Sequence, residues 1–563
     1  MKRFLLIISF LYSLATVAQT YNNEWIDFNK TYYKFKVGAT GLYRISEATL
    51  VSLGIGAAPA EHFQLWRNGK EVSMYTSAAS GPLGGGGYIE FWGLMNDGKP
   101  DKQLYRNPDY QLIDKYSFST DTAAYFLTVN PAGGNARLVT TINNVAGNSL
   151  PPEPYFMHTE GHYCKNYMNP GYFIDAGEYV HSSTYDRGEN WVCFDIGANA
   201  SFSKTTDPLY VYAAGPAGTF TLNVAGNAIN TRRIRARING DSILGQNVDF
   251  LNYARLQAPV PLTSLSTPTA QIQITNVTPS GYDRMVISQF ELTYPRTFNF
   301  GNKKNFEFSL PGNVSGNYLE ISNFDYGATA PVLYDITNGK RYVADISTPG
   351  LIKFALEPSV LDRQLVLVSQ DASNINNVSS MTQKNFVNFA NASLHGDYII
   401  ISNPILYSGV SGNPVEDYRV YRSSAAGGGY NAKVYDVNEL IDQFAFGIKK
   451  HPASVRNFLS WAKNNFGTRP KFVFLIGRAM MYDHYRYYES VPEADLLNLV
   501  PTYGSPASDW LLATDSGQYL PHTPIGRIAA IAPDEVSVYL SKVIEYEDAQ
   551  KVTSPLIADK DME

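Results

Sequence analysis

Charge is scarce in this chain. Only 17% of its 563 residues are Asp, Glu, Lys or Arg, and the formal net charge is -6. No basic run stands out, so the electrostatic footprint that nucleic-acid binding requires is missing. Cysteine is scarcer still, with Cys164 and Cys193 the only two. Two cysteines do not make a disulfide scaffold, so the preferred reading is a pair of unpaired, buried small hydrophobes. One disulfide closing a modest loop, formed on export, is the alternative. Cys193 lies in a strand-like run and Cys164 follows His162 by two positions, and neither has the setting of a nucleophile. Beyond the first residues no apolar run reaches the length of a membrane span, so no transmembrane helix is expected in the mature chain. His, Asp and Glu never cluster at metal-ligand spacing, so no cofactor is expected. A structural calcium on scattered carboxylates would leave no mark in the sequence.

What the chain has in quantity is Tyr (40), Gly (44) and Pro (31), which suits β-rich extracellular domains with many turns. Its length exceeds what one core supports. Lys2 and Arg3, an apolar run over residues 4–14 and the small residues Thr16-Val17-Ala18 read as a signal peptide over 1–18. Export to the periplasm, the outer-membrane surface or the medium is expected. Short alternating strands then suggest a β domain over 19–145, a sandwich or jelly-roll-like domain over 150–297, and a small β domain with linker over 298–390. The glycines 84–87 lack the following Lys-Ser/Thr and helix of a phosphate cradle, so they read as a turn. The Asn/Ser-rich residues 373–380 read as a linker.

From residue 391 the pattern changes to strand, helix, strand, helices, strand, which is the mark of a parallel α/β sheet. Apolar runs at 397–402, 432–437 and 471–476 are the strands. Pro414 precedes one helix, Asn438 is the expected N-cap of a second, and Pro452 starts a third. Such a domain normally needs more strands than have appeared by Glu563, so the chain is read as stopping inside it. Ligands bind at the carboxyl ends of parallel strands. That directs attention to Gly477, Arg478, Asp483 and His484. Arg527 is read as a structural ion-pair partner, Ser508-Asp509 as a cap or rim, and His522 as a loop residue.

Four features in order resemble the gingipain-type cysteine peptidases of family C25, and most closely their type IX secretion sortases. They are Asp397-Tyr398-Ile399-Ile400-Ile401 with Asn403-Pro404; Tyr435-Asp436-Val437 leading into residues 441–447 and 452–459; residues 472–477 followed by Val500-Pro501-Thr502-Tyr503-Gly504 and Ser508-Asp509; and Pro524-Ile525-Gly526-Arg527-Ile528 ahead of Glu545-Tyr546-Glu547. The resemblance implies a caspase-like fold. The whole is then a multidomain chain, with β-sandwich and jelly-roll-like domains followed by the first part of a caspase-like parallel-sheet domain over 391–563.

It also implies a Cys nucleophile and a His base that lie beyond the helix matched by Glu545-Tyr546-Glu547. The sixteen residues after Glu547 hold neither His nor Cys, so no catalytic residue is assigned within 1–563. Gly477, Asp483, Ser508, Asp509 and Arg527 remain as rim or support residues. Arg478 stands where the family often has an acid. The implied activity is cleavage or transpeptidation of C-terminal sorting signals, with protein substrates and other secretion-system components as partners. The alternative is a non-catalytic secreted adhesion or assembly protein with a degenerate peptidase-like domain.

Overall fold

The structure is a computed structural model, and it describes residues 20–551 except 411, 516, 517 and 519. The leader expected over 1–18 lies outside the described residues. None of the described helices is long and apolar enough to cross a membrane.

Three β units precede the α/β segment. In the first, one sheet is ordered Thr382–Lys384, Tyr32–Val37, Ala123–Val129, Phe63–Arg67, Lys70–Glu71. It faces a second sheet built on Gly41–Ser46 and Tyr88–Gly93. Alternate residues of the facing strands, such as Phe35, Ile45, Phe91 and Tyr125, form the core. The polar stretch 373–380 is no free linker. Ile375–Asn377 pairs in parallel with Gly41–Ser46, placing Ile375 opposite Leu42. Backbone pairing there needs little side-chain hydrophobicity, which is why composition alone suggests a linker.

The second unit is an antiparallel sandwich. Its longest strand, Arg284–Arg296, pairs with Gly218–Gly226 and with Phe156–Tyr163. The alternation of Phe220, Leu222 and Val224 with polar residues buries one face against Ile234, Ile238, Ile272 and Ile274. Cys164 and Cys193 are joined as a disulfide across a Cα–Cα distance of 4.8 Å. The preferred reading of unpaired thiols is thereby replaced by its alternative. The cause is local: Cys164 N donates to Ser288 O (3.0 Å) and Cys193 N to Ile287 O (2.9 Å), so one strand brings both residues together.

The third unit packs Phe298, Phe300, Phe306, Phe308 and Phe354 between two sheets. Val139–Thr141 adds a parallel strand to it beside Lys340–Val343.

The α/β segment holds β1 (Tyr398–Ser402), β2 (Ala432–Asp436), β3 (Phe472–Ile476) and β4 (Ile525–Ile528). They pair in the order β2-β1-β3-β4, all parallel. Both faces are buried, as the unbroken apolar runs predict. Ile400, Phe474 and Ile476 pack with Val415 and Tyr418 of α1 (Pro414–Ser423). Ile399, Ile401, Val473 and Leu475 point the other way, toward α2 (Val437–Phe444) and α3 (Ala453–Asn465). Helix α2 starts two residues earlier than expected. Asp436, rather than Asn438, is its N-cap, because the Asp436 carboxylate accepts from Asn438 N.

The core behind α2 and α3 does not stop at the segment. Leu104, Tyr105, Ile113, Phe118, Tyr185 and Trp191 belong to the same buried cluster. The β units and the parallel sheet therefore share one interior.

The disulfide closes a sequence separation of 29 residues. Loop-closure entropy assigns such a cross-link about 3–4 kcal/mol. Reduction, or Cys164→Ala with Cys193→Ala, should lower the denaturation midpoint of the sandwich accordingly in a urea titration. An identical titration with and without reductant would refute the bond.

Candidate functional site at the sheet edge

The chain runs from β1 outward to β2, then back across β1 to β3. The direction of winding reverses between β1 and β3, so the crevice outside their carboxyl ends is the place where this architecture receives a ligand. Two contacts, the first of them buried, close the floor of that crevice. Ser402 Oγ donates to Ile476 O at 2.9 Å, and Asn403 Nδ2 donates to Leu499 O at 3.3 Å. Gly477 continues β3 by donating to Ile528 O at 3.0 Å. Its φ of 144° is a conformation side chains avoid, and a Cβ there would meet Val500 Cγ2 at 3.0 Å. Glycine is thus required where the chain leaves the sheet. Arg478 follows, with its backbone fixed to Ala530 and Leu499 and its residue exposed.

Arg527 organises this edge. Its guanidinium takes both Asp509 oxygens, with Nε to Oδ2 at 2.7 Å and Nη2 to Oδ1 at 2.6 Å. It also donates to Gly477 O (2.7 Å), Val500 O (2.8 Å) and Pro501 O (3.2 Å). One planar cation therefore ties the end of β3 to the two loops that follow it. The structure brings Gly477, Asp509 and Arg527 together in this way.

Asp483 and Ser508 are placed separately. Asp483 Oδ2 accepts from Ser505 Oγ at 3.3 Å, on α4 (Tyr482–Tyr487). Ser508 closes a turn through its backbone N–H to Tyr503 O at 2.8 Å, and neither it nor Asp509 caps the following helix with a side chain. His484 is exposed. His522 meets Thr523 Oγ1 at 3.0 Å, and burial pushes its imidazole down to about 4, so it is neutral at ordinary pH.

The two sulfurs lie outside this edge. His162 Nε2 is 3.6 Å from Cys193 Sγ, and His162, Cys164 and Cys193 form a tight cluster. Because the sulfurs are bonded to each other, neither is a thiolate, and the cluster is neither a nucleophile pair nor a metal site.

Sequence reading missed the residues beneath the edge. Tyr482 Oη donates to Glu189 Oε1 at 2.5 Å, across 293 residues of chain. Tyr482 stacks on Tyr185 at 5.1 Å and meets Phe118 at 4.8 Å. Arg456 of α3 donates to Tyr503 Oη (3.0 Å) and Gln103 O (2.8 Å). The buried His451 Nε2 donates to Asp101 Oδ1 at 3.0 Å, its tautomer set by Ala453 N–H on Nδ1. Two of these, Tyr503 and Arg456, fall inside matched motifs; Glu189 carries no signal in its surroundings.

Replacing Arg527 by Lys keeps the charge but loses the fork. With Asp509 and three carbonyls left short of donors, stability should fall by about 3 kcal/mol. The measurement is denaturant unfolding of Arg527→Lys beside the native chain, and a midpoint shift near zero would contradict the organising role.

The comparisons agree with the C-terminal reading. Residues 391–561 match the family model for peptidase family C25. No curated protein matches the chain. Among solved structures, dimeric latent PorU from Porphyromonas gingivalis is similar at a TM-score of 0.59 and 14% identity, covering 92% of this chain and 49% of that one. The chain thus spans about half the length of the structure it matches. At that identity the likeness shows the fold, and it extends over the β units as well as the sheet. A CBM36-1 domain from the hindgut metagenome of Trinervitermes trinervoides matches at 15% identity, with 24% of this chain and 96% of that one, but a TM-score of 0.16 gives it no weight. The α/β segment beginning at residue 391 resembles peptidase family C25, on its parallel sheet and on the family match over residues 391–561.

Proposed function

We propose that the chain supplies the β units and the first part of the peptidase domain of an exported C25-type cysteine peptidase, one that cleaves or transpeptidates C-terminal sorting signals of secreted proteins. The observation that carries this reading is the parallel sheet whose winding reverses at an Asn403–Gly477 crevice, inside the span that matches the family. In that reading Gly477, Asp483, Ser508, Asp509 and Arg527 form and support the rim on which a substrate segment lies.

The chemistry of the family is acyl transfer. A Cys thiolate adds to the peptide carbonyl, the C–N bond breaks, and an imidazolium gives its proton to the leaving amine. Water then releases the acyl group in cleavage, and a second amine releases it in transpeptidation. This chain's residues contribute the floor and the rim. Arg527 holds the loops without spending its charge on solvent, and the buried sheet beneath keeps them in register.

A second reading has its own observation. Arg478 occupies the place where the family often has an acid. That departure suits a secreted adhesion or assembly protein with a degenerate peptidase-like domain.

The two readings separate on the product of the whole gene, read on past codon 563. Incubated with a reporter bearing a C-terminal sorting signal, the peptidase reading predicts loss of the signal by mass spectrometry and its retention after the nucleophilic Cys is changed to Ala. An intact reporter, or a reading frame lacking either His or Cys, would leave the assembly reading.

A further inference from the structure

Glu189 is a buried carboxyl that the proposed reaction does not use. It is 1% exposed and sits where the sandwich meets the sheet edge. Its two oxygens have one partner each: Oε1 accepts from Tyr482 Oη at 2.5 Å and Oε2 from Asp186 N at 2.9 Å. Among the described residues no Lys or Arg forms an ion pair with it. Asp186 beside it is neutralised by Arg106, with Nε to Oδ1 at 2.6 Å. Arg456 is taken by Tyr503 and Gln103. The other groups that face the site are Tyr105, whose hydroxyl donates to Glu189 O at 2.7 Å, and Tyr185, Tyr503, Asp101 and Asp483. All of these are neutral or anionic.

Tyr482 is the first residue of α4, five positions after Gly477. Its ring is clamped between Tyr185 and Phe118, which pins the start of the loop that leaves β3 to the β units. One turn on, Arg486 of α4 pairs with Asp121 at 2.6 Å and lies over Trp191, a second tie whose charges do not touch Glu189. The clamp is reinforced below, where Gly504 lies so close to Ser183 that a Cβ would meet Ser183 O at 1.7 Å.

We infer that Glu189 is a positioning residue for the sheet-edge site: in its protonated form it holds Tyr482, and through it the 478–498 loop that carries Asp483, against the β units, and its ionisation releases that loop. The functional weight of this inference rests on the proposed rim, but the contact it describes does not.

Burial pushes the Glu189 carboxyl up to about 8, with Asp186 and Asp483 adding to the rise against the Tyr482 and Asp186 hydrogen bonds. In the released loop the carboxyl is solvated and returns to the ordinary value near 4.5. Between those two values the docked state holds one proton more than the released state. Docking therefore weakens as pH rises through that window, by up to about tenfold in the opening equilibrium per pH unit, and levels off above it. Below the window docking is at full strength.

Hydrogen exchange on the full chain, expressed as protection factors so that intrinsic exchange is divided out, reads this directly. Amides of α4 and of Leu497 and Leu499 should lose protection from pH 5 to 8 and then level, while α3 amides stay constant. Glu189→Gln keeps one acceptor oxygen for Asp186 N–H, presents its amide N–H to Tyr482 Oη, which can accept as well as donate, and cannot ionise, so it should make the profile flat. Tyr482→Phe should lower protection about tenfold at pH 6 with Glu189 still in place. A flat wild-type profile, an unchanged slope in Glu189→Gln, or full protection in Tyr482→Phe would each overturn the inference. None of these readouts depends on peptidase activity, so failure of the proposed function and failure of this contact are told apart.

Discussion

The structure depends on a shared interior. One face of the parallel sheet is covered by α2, α3 and residues 500–513 of its own segment, and residues that arrive from the β units close the remaining apolar surface. Tyr105, Phe118 and Tyr185 meet Tyr482 and Tyr503 in a wall of rings, and Leu104, Ile113 and Trp191 complete it. Burial of aromatic side chains on this scale is among the largest favourable terms a protein can gather. It also fixes geometry, since rings packed edge to face admit few alternatives. The sheet edge is thus held from beneath by a different part of the chain than the one that forms it.

Polar groups in the seam follow from that burial. A buried donor or acceptor must be paired. The seam meets this demand with His451 on Asp101, Arg456 on Tyr503 and Gln103, and Tyr482 on Glu189. On the far side Lys384 reaches Asp442 at 3.1 Å, tying the first sandwich to α2. Burial lowers the Lys384 ammonium, but the carboxylates of Asp442 and Glu439 outweigh it and hold it above its ordinary value. The pairs His451–Asp101, Arg456–Gln103 and Tyr482–Glu189 each join residues hundreds of positions apart. The β units therefore act as part of the peptidase-like scaffold, and the likeness to the PorU fold over 92% of the chain is consistent with that.

Much of the fold was legible because the information is local. Unbroken apolar runs marked β1, β2 and β3 to within a residue, and Pro414 and Pro452 marked two helix starts. Gly477 was legible as a turn because only glycine accepts that backbone. The family resemblance was legible because its motifs stand in order along one stretch. What stayed hidden lies between distant segments. Glu189 sits in an undistinguished run, and its partner is 293 residues away. The disulfide was underweighted because pairing depends on both cysteines bonding to neighbouring carbonyls of one strand, Ile287 and Ser288, which no count of cysteines reveals. Arg527 was legible as an ion-pair residue, whereas its three carbonyl contacts depend on loops whose paths the sequence does not disclose.

On the proposed function, the crevice between β1 and β3 belongs to a thiol peptidase site. A peptidyl ketone electrophile that alkylates only activated thiolates tests it on the product of the whole gene. One covalent adduct is expected, on a cysteine other than Cys164 and Cys193, and it should be lost when Arg527 is replaced. No adduct, or an adduct only on Cys164 or Cys193 after reduction, would contradict it.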